Sequence, residues 1–347
     1  DKITVDNSLE MTGSWDGGTV FITAKPDGKV PVTVAADPAG AGTLTGNGRY
    51  EPNSPVTVTA AANAGYYFIG WYEGESQKST ETSYELIVPE RGLALTARFG
   101  IDYLTKAEQA KTAFADALNS NSLSWATLEQ AVEAYHAAAD FVKNPPSAVT
   151  DAETRYAVLT AYYQSVTTLN LSNQNLGSGD LAKLALFTGV TELNLSGNKG
   201  ITGLSGLGGL TALEALDISG TGVTTADVLV SGDALSFPGL KTLTAQNLSL
   251  TSLSALAKAA GADGFNTDAV TKWDFTGSTL TDTEDNKADV ETIKTTLGEK
   301  FSPPTIQTTP VTPEEPVGGG STGGSSGYSI SVPASTSIKG GSITVSP

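Results

Sequence analysis

Carboxylates crowd the stretch DTEDNKADVE at 282–291, and clustered carboxylates are the raw material of a calcium loop. The spacing is wrong for one: no Gly stands at the sixth position, where such a loop must turn sharply. The same acids read better as a helix start, where the positive end of the helix dipole favours them. The glycines of GLSGLGGL at 203–210 suggest a phosphate cradle, but the run lacks the Gly-Lys-Ser/Thr ending that would hold a phosphate. His136 is the sole histidine and sits in EAYHAAADF, a helical pattern in which a lone His packs or is solvated. With no cysteine, thiolate metal sites, disulfides and cysteine nucleophiles are excluded. No nucleophile elbow or zinc-type HExxH occurs. With 37 Asp and Glu, some carboxylates must lie close by chance, so pairing alone gives no warrant for glycoside hydrolysis. We therefore expect no catalytic residues, no metal and no cofactor. Asn170, Asn194 and Asn247 each open an Asn-Leu-Ser glycosylation sequon, which we read as a coincidence of the local pattern.

Residues spaced for binding are a different matter. Five segments align: VTTLNLSNQ from Val166, VTELNLSGN from Val190, LEALDISGT from Leu213, LKTLTAQNL from Leu240 and VTKWDFTGS from Val270. In each, apolar residues alternate with small polar ones, so side chains on alternate faces of a short strand go inward and outward. Stacking the copies puts three outward rows on one face. The first is Thr168, Glu192, Ala215, Thr242 and Lys272; the second is Asn170, Asn194, Asp217, Thr244 and Asp274; the third is Ser172, Ser196, Ser219, Gln246 and Thr276. From these, Thr168, Asn170, Glu192, Asn194, Asp217, Thr244, Lys272 and Asp274 are the candidate binding residues. The rows hold no Trp, Tyr, Phe or Arg, the residues that dominate tight protein interfaces. Their chemistry suits a glycan, a wet protein contact or no ligand.

These rows need elements to hold them. The copies recur at steps of 24, 23, 27 and 30 residues, the period of a solenoid in which no copy buries its apolar face alone. We assign 166–300 to the repeats and a closing helix. Residues 101–165 switch to Ala, Leu and Glu, and predict three helices. Capping boxes TKAE at 105–108 and TDAE at 150–153 would open the first and third, and the second runs from about Ser124 to Lys143 before Pro145 and Pro146. Residues 30–100 alternate as strands in VPVTVAA, PVTVTAAA, SYELIV and LALTARF, with GTLTGNGRYEPNSP as a separator. Residues 1–29, including TVFITA, read as a strand segment or the end of an upstream β module. A Pro/Thr-rich then Gly/Ser-rich linker spans 301–327, and 328–347 opens a further β module. Asp1 is not a Met, as expected where a leader has been removed or the chain starts within a longer protein.

The repeats resemble bacterial leucine-rich repeats, LxxLxLxxN, over about 166–300. Only Asn198 fills the Asn position; Gln174, Thr221, Leu248 and Ser278 stand there in the other copies, so those turns need other partners for their backbone. Trp273 and Phe275 replace leucines and are expected to fill the end of the stack. Residues 30–99 resemble the divergent B-repeat of internalin-like surface proteins, through Gly42, Tyr50, Gly65, Tyr66, Phe68, Gly70, Trp71 and Gly74, with Trp71 in the core. The resemblance implies a multidomain α+β protein: a small β-grasp-like module, a three-helix cap, a short leucine-rich repeat solenoid with a parallel β-sheet, and a C-terminal linker. It also implies a non-catalytic extracellular protein, secreted or on a bacterial cell surface, that binds a host surface protein or glycan or an envelope polymer. The alternative is a stalk or spacer of a larger envelope protein. Net charge −17 repels phosphate backbones, so nucleic acid is not an expected partner. No apolar run is long enough to span a membrane, and a monomer is expected.

Overall fold

A computed structural model describes residues 9–11, 22–24, 28–232 and 234–307. They form a mixed α+β structure. The reading of a second β module at 328–347 and of a linker from 308 lies outside the described residues, as does most of the segment before 28.

Strands β1 (Leu9–Met11) and β2 (Ile22–Ala24) pair only with each other among the described residues. Eight strands follow: β3 (Val30–Asp37), β4 (Gly42–Thr45), β5 (Gly48–Tyr50), β6 (Pro55–Ala62), β7 (Tyr66–Glu73), β8 (Ser76–Ser79), β9 (Ser83–Ile87) and β10 (Leu93–Ile101). They make two sheets, ordered β5-β3-β10-β7-β8 and β4-β6-β9. The alternating segments form strands as expected, and their inward residues Val32, Val34, Val56, Val58, Leu86 and Leu95 are buried between the sheets. GTLTGNGRYEPNSP is not a plain separator. It contains β4 and β5, which belong to different sheets, and Gly46 at φ +101° supplies the left-handed backbone between them. The strand YYFIGWYE escapes an alternation reading because Gly70 and Trp71 are buried side by side, next to a bulge in its pairing. Trp71 is fully buried, with Phe68 packed edge-on at 5.8 Å.

Strand β10 runs straight into helix α1 (Tyr103–Asn119), followed by α2 (Trp125–Phe141) and α3 (Ala152–Gln164). The helix lengths match expectation, but two of the caps do not. Asp102, not Thr105, caps α1: its carboxylate accepts from the N–H groups of Leu104 and Thr105 at 3.0 and 3.1 Å and from the Thr105 hydroxyl at 2.7 Å. Glu108 does not reach back to the backbone; it forms a paired contact with Arg155 of α3. The residue before α3, Asp151, is left-handed at φ +54° and makes no side-chain cap. Long-range pairing of Glu108 with Arg155 overrides the local signal. Ser124 caps α2 through the Thr127 N–H.

The repeats give short parallel strands β11 (Thr168–Asn170), β12 (Glu192–Asn194) and β13 (Ala215–Asp217). An antiparallel pair, β14 (Val230–Ser231) and β15 (Ala234–Leu235), comes next, then β16 (Thr242–Thr244) and β17 (Ser249–Leu250). Helix α4 (Ser254–Ala260), β18 (Lys272–Asp274), β19 (Thr279–Thr281) and helix α5 (Glu284–Leu297) follow, and β20 (Phe301–Ser302) and β21 (Thr305–Gln307) end the described chain. One parallel sheet has the order β11-β12-β13-β16-β18-β20, and a smaller one β17-β19-β21. The longer repeat steps hold the extra elements: the 27-residue step carries β14 and β15, and the 30-residue step carries α4. Where a linker was expected from 301, β20 and β21 continue both sheets. Trp273 and Phe275 are buried, as expected, but do not close the stack. Phe301 pairs beyond Trp273 and lies 5.9 Å from the Phe275 ring.

Three-residue strands offer few backbone bonds, so apolar burial must hold the stack. Leu169, Leu193, Leu216, Leu243 and Trp273 stand in register and are all buried. Each such side chain contributes roughly 1.5–3 kcal/mol. The core runs without a break from Phe114, Tyr163 and Leu128 of the helices through these leucines to Phe301. After each of β11, β12, β13, β16 and β18 comes a left-handed residue: Asn173, Gly197, Gly220, Asn247 and Gly277, with φ between +55° and +75°. Only Gly and Asn accept that backbone readily, and the sequence offers just those two at the eighth position of every copy.

Candidate functional site

The register brings the predicted rows together. Thr168 pairs with Glu192, Glu192 with Ala215, Ala215 with Thr242 and Thr242 with Lys272. The second row follows the same ladder from Asn170 through Asn194, Asp217 and Thr244 to Asp274. Thr168, Asn170, Glu192 and Lys272 are exposed; Asn194, Asp217, Thr244 and Asp274 are half-buried. The strands from Thr168 to Thr244 line a hollow of about 300 Å³, with the small Ala215 and Thr242 among its lining. Lys272 and Asp274 do not line it.

The second row is not free. The Oδ1 atoms of Asn194, Asp217 and Asp274 accept the N–H of the residue two places on, Ser196, Ser219 and Thr276, at 2.9 to 3.0 Å, and Asn170 does so for Ser172 at 3.2 Å. These Asx turns end each strand and lead into the left-handed residue. Thr244 makes no such turn. Instead the Gln246 N–H donates to the Ser219 hydroxyl at 3.1 Å, and its amide Nε2 donates to Asp274 Oδ2 at 3.1 Å. Lys272 lies 3.0 Å from the same carboxylate. Burial by itself raises the Asp274 carboxyl. The Thr276 backbone N–H, the Thr276 hydroxyl, Lys272 and Gln246 outweigh burial and hold the pKa down to about 2, below the ordinary 3.8. Asn170, Asn194, Asp217 and Asp274 thus spend an acceptor on their own turns. Thr168, Glu192 and Thr242 make no such turn, so their side chains are the ones the face offers outward.

A second hollow, of about 310 Å³, adjoins the first at Asn170. It lies between the α1–α2 loop, at Asn121, Ser122 and Ser124, and Ser172 and Gln174. Sequence reasoning missed this extension. Its signal was Gln174 standing where Asn is usual: the Gln174 Oε1 accepts from the Trp125 N–H at 3.1 Å and so ties the first repeat to the helices.

The other sequence candidates resolve as structure. Glu284 and Asp285 form the first turn of α5 behind an N-cap at Thr283, and no metal-holding group of acids or histidines occurs among the described residues. Gly206 in GLSGLGGL packs against the turn beneath: a Cβ there would stand 2.7 Å from the Ala182 nitrogen. His136 lies on α2 beside Tyr135. Among the described residues no helix is long and apolar enough to cross a membrane.

Residues 32–102 match the family model described as the divergent InlB B-repeat domain. No curated protein matches the chain. Among solved structures, internalin C2 from Listeria monocytogenes str. 4b F2365 is similar at 19% identity, with a TM-score of 0.31, over 43% of this chain and 56% of that one. The chain thus spans little more than half of that relative's length. The resemblance read from Gly42, Tyr50, Gly65 and Trp71 is borne out, and the segment from Val32 to the helix cap Asp102 matches the divergent InlB B-repeat.

Proposed function

We propose that this chain is a non-catalytic part of an extracellular bacterial surface protein that binds through the open face of its parallel sheet. On this reading residues 166–300 are a leucine-rich repeat solenoid, the helices at 101–165 cap it, and the β-grasp-like module at 30–100 projects from the cap. The in-register rows around the hollow from Thr168 to Thr244 carry the proposal. Concave faces of stacked repeats are where such proteins gather ligand contacts. The hydroxyl and amide lining, with no aromatic or Arg, suits a glycan of a host surface or bacterial envelope, or a wet contact with a host protein. The chain would act as a monomer.

The spacer alternative has its own support: the second row is already used by the turns. Labelled full-length chain should be offered to epithelial cells and to purified Gram-positive cell walls. The informative variant is Glu192→Arg with Thr242→Arg, which crowds the hollow and leaves every turn bond intact. Saturable binding abolished by this variant supports the binding reading. Binding that the variant leaves unchanged, or no binding to either surface, favours the spacer.

A further inference from the structure

Strand β9 is the end strand of its sheet, paired only to β6 among the described residues. The Ala60 N–H donates to the Thr82 carbonyl, and the Val88 N–H to the Ser54 carbonyl, both at 2.9 Å. An antiparallel ladder repeats every two residues. Even-numbered residues of this strand, Tyr84 opposite Val58 and Leu86 opposite Val56, therefore direct their backbone groups to β6. The N–H and C=O groups of Ser83, Glu85 and Ile87 point the other way, to an open edge.

That edge borders a groove of about 610 Å³. Residues 84–87 form one wall, no β6 residue lines it, and Leu93 and Leu95 of β10 and Glu73 of β7 face it from the other sheet. Leu86 and Leu95 make its floor apolar, while Ile87 is 61% exposed. Glu73 is already engaged by Lys78 at 3.1 Å and by Arg91. Glu85 has no ion-pair partner among the described residues.

We propose that β9 is a peptide-docking edge, which takes an extended peptide of alternating apolar and basic residues as a fourth strand of the sheet. Backbone groups of Ser83, Glu85 and Ile87 supply the ladder bonds. Apolar side chains of the peptide enter the groove over Leu86 and Leu93, and a lysine or arginine stands beside Glu85. The net charge of −17 favours a basic partner at longer range. A second copy of the chain fits poorly. In the antiparallel register that uses all three open residues, Glu85 would face its own copy, and like charges directly opposite are destabilising.

The test uses the full chain and a short capped, labelled peptide that alternates valine and lysine. Controls are the same composition with the lysines grouped, a version interrupted by proline, and a valine–glutamate version. We expect saturable binding of the first peptide and slowed amide exchange at Ser83, Glu85 and Ile87, with no change at Tyr84 and Leu86, which already bond β6. Glu85→Lys, an exposed change, should weaken it about tenfold and favour the valine–glutamate peptide instead. Three results would overturn the proposal. One is equal binding of the grouped or proline peptide, which would reflect the general acidity of the chain. Another is indifference to Glu85→Lys. The third is protection of the edge that grows with protein concentration in the absence of peptide, which would mean self-pairing.

Discussion

Asn198 should be the most consequential polar residue of the repeats. It is fully buried. Its Oδ1 accepts the N–H groups of Gln174 and Leu176 in the preceding turn at 2.8 and 3.1 Å. Its Nδ2 donates to the carbonyls of Leu171 and Leu195 at 2.8 and 2.7 Å. One side chain thus satisfies four backbone groups in two successive copies. Asn198→Ala leaves them buried without partners. At about 1–3 kcal/mol for each unsatisfied group, and with some relieved by local relaxation, the loss should reach about 3–5 kcal/mol. Asn198→Ser should cost less, because the hydroxyl of Ser278 does a smaller version of the task at the same position of the fifth copy. It accepts from the Leu248 N–H at 2.8 Å and donates to the Ala245 carbonyl at 2.6 Å. Native-state amide exchange reads the effect where it arises. A loss of about 3 kcal/mol speeds exchange at Gln174 and Leu176 by on the order of 100-fold if those amides open with the local unit. Exchange at Val56 and Val58, in the other core, should stay as it was. A loss below about 1 kcal/mol in Asn198→Ala would refute the reasoning, since water would then have replaced the bonds at little cost.

Two further predictions concern the turns and the sheet face. Gly277 is left-handed at φ +74°, and a Cβ there would meet the Asn247 Oδ1 at 2.6 Å, whereas Gly264 at φ +90° has nothing within 4 Å. Both Gly→Ala changes incur backbone strain of about 1–2 kcal/mol, but Gly277→Ala should lower the denaturation midpoint further; equal midpoints would show that the Asn247 side chain yields freely. The Asp274 pKa is lower folded than unfolded, so its contribution is present above about 4 and lost as pH falls toward 2. It is worth about 2 kcal/mol, to be checked by NMR titration of the carboxyl and by comparing Asp274→Asn with the parent across pH 2 to 5. A variant as stable relative to the parent at pH 5 as at pH 2 would contradict the assigned bonds.

Much of this architecture is written in local pattern. Inward leucines and outward polar residues follow from two-residue alternation, which a strand imposes on any neighbour, so Leu169, Leu193 and Glu192 could be placed from sequence alone. The eighth-position Asn or Gly is just as local, because the left-handed backbone excludes nearly every other residue. The resemblance of 30–99 to a divergent B-repeat is likewise legible in aromatic and glycine positions such as Gly42, Tyr50 and Trp71, and residues 32–102 match that family model.

Tertiary structure decided what depends on partners far along the chain. Phe301 carries no repeat signature and precedes Pro303 and Pro304, yet it becomes a sheet strand because α5 returns it beside Trp273. Asp102 takes the cap that Thr105 promised because Glu108, the other half of the box, is drawn to Arg155 of α3. Asp274 faces outward by pattern and has Lys272 two places before it on its own strand, but only the stacking of the neighbouring copy brings Gln246 to it. The open edge of β9 is likewise a property of sheet order, which no stretch of sequence contains. Alternation fixes which way a side chain points, while contacts between distant segments fix what it meets there.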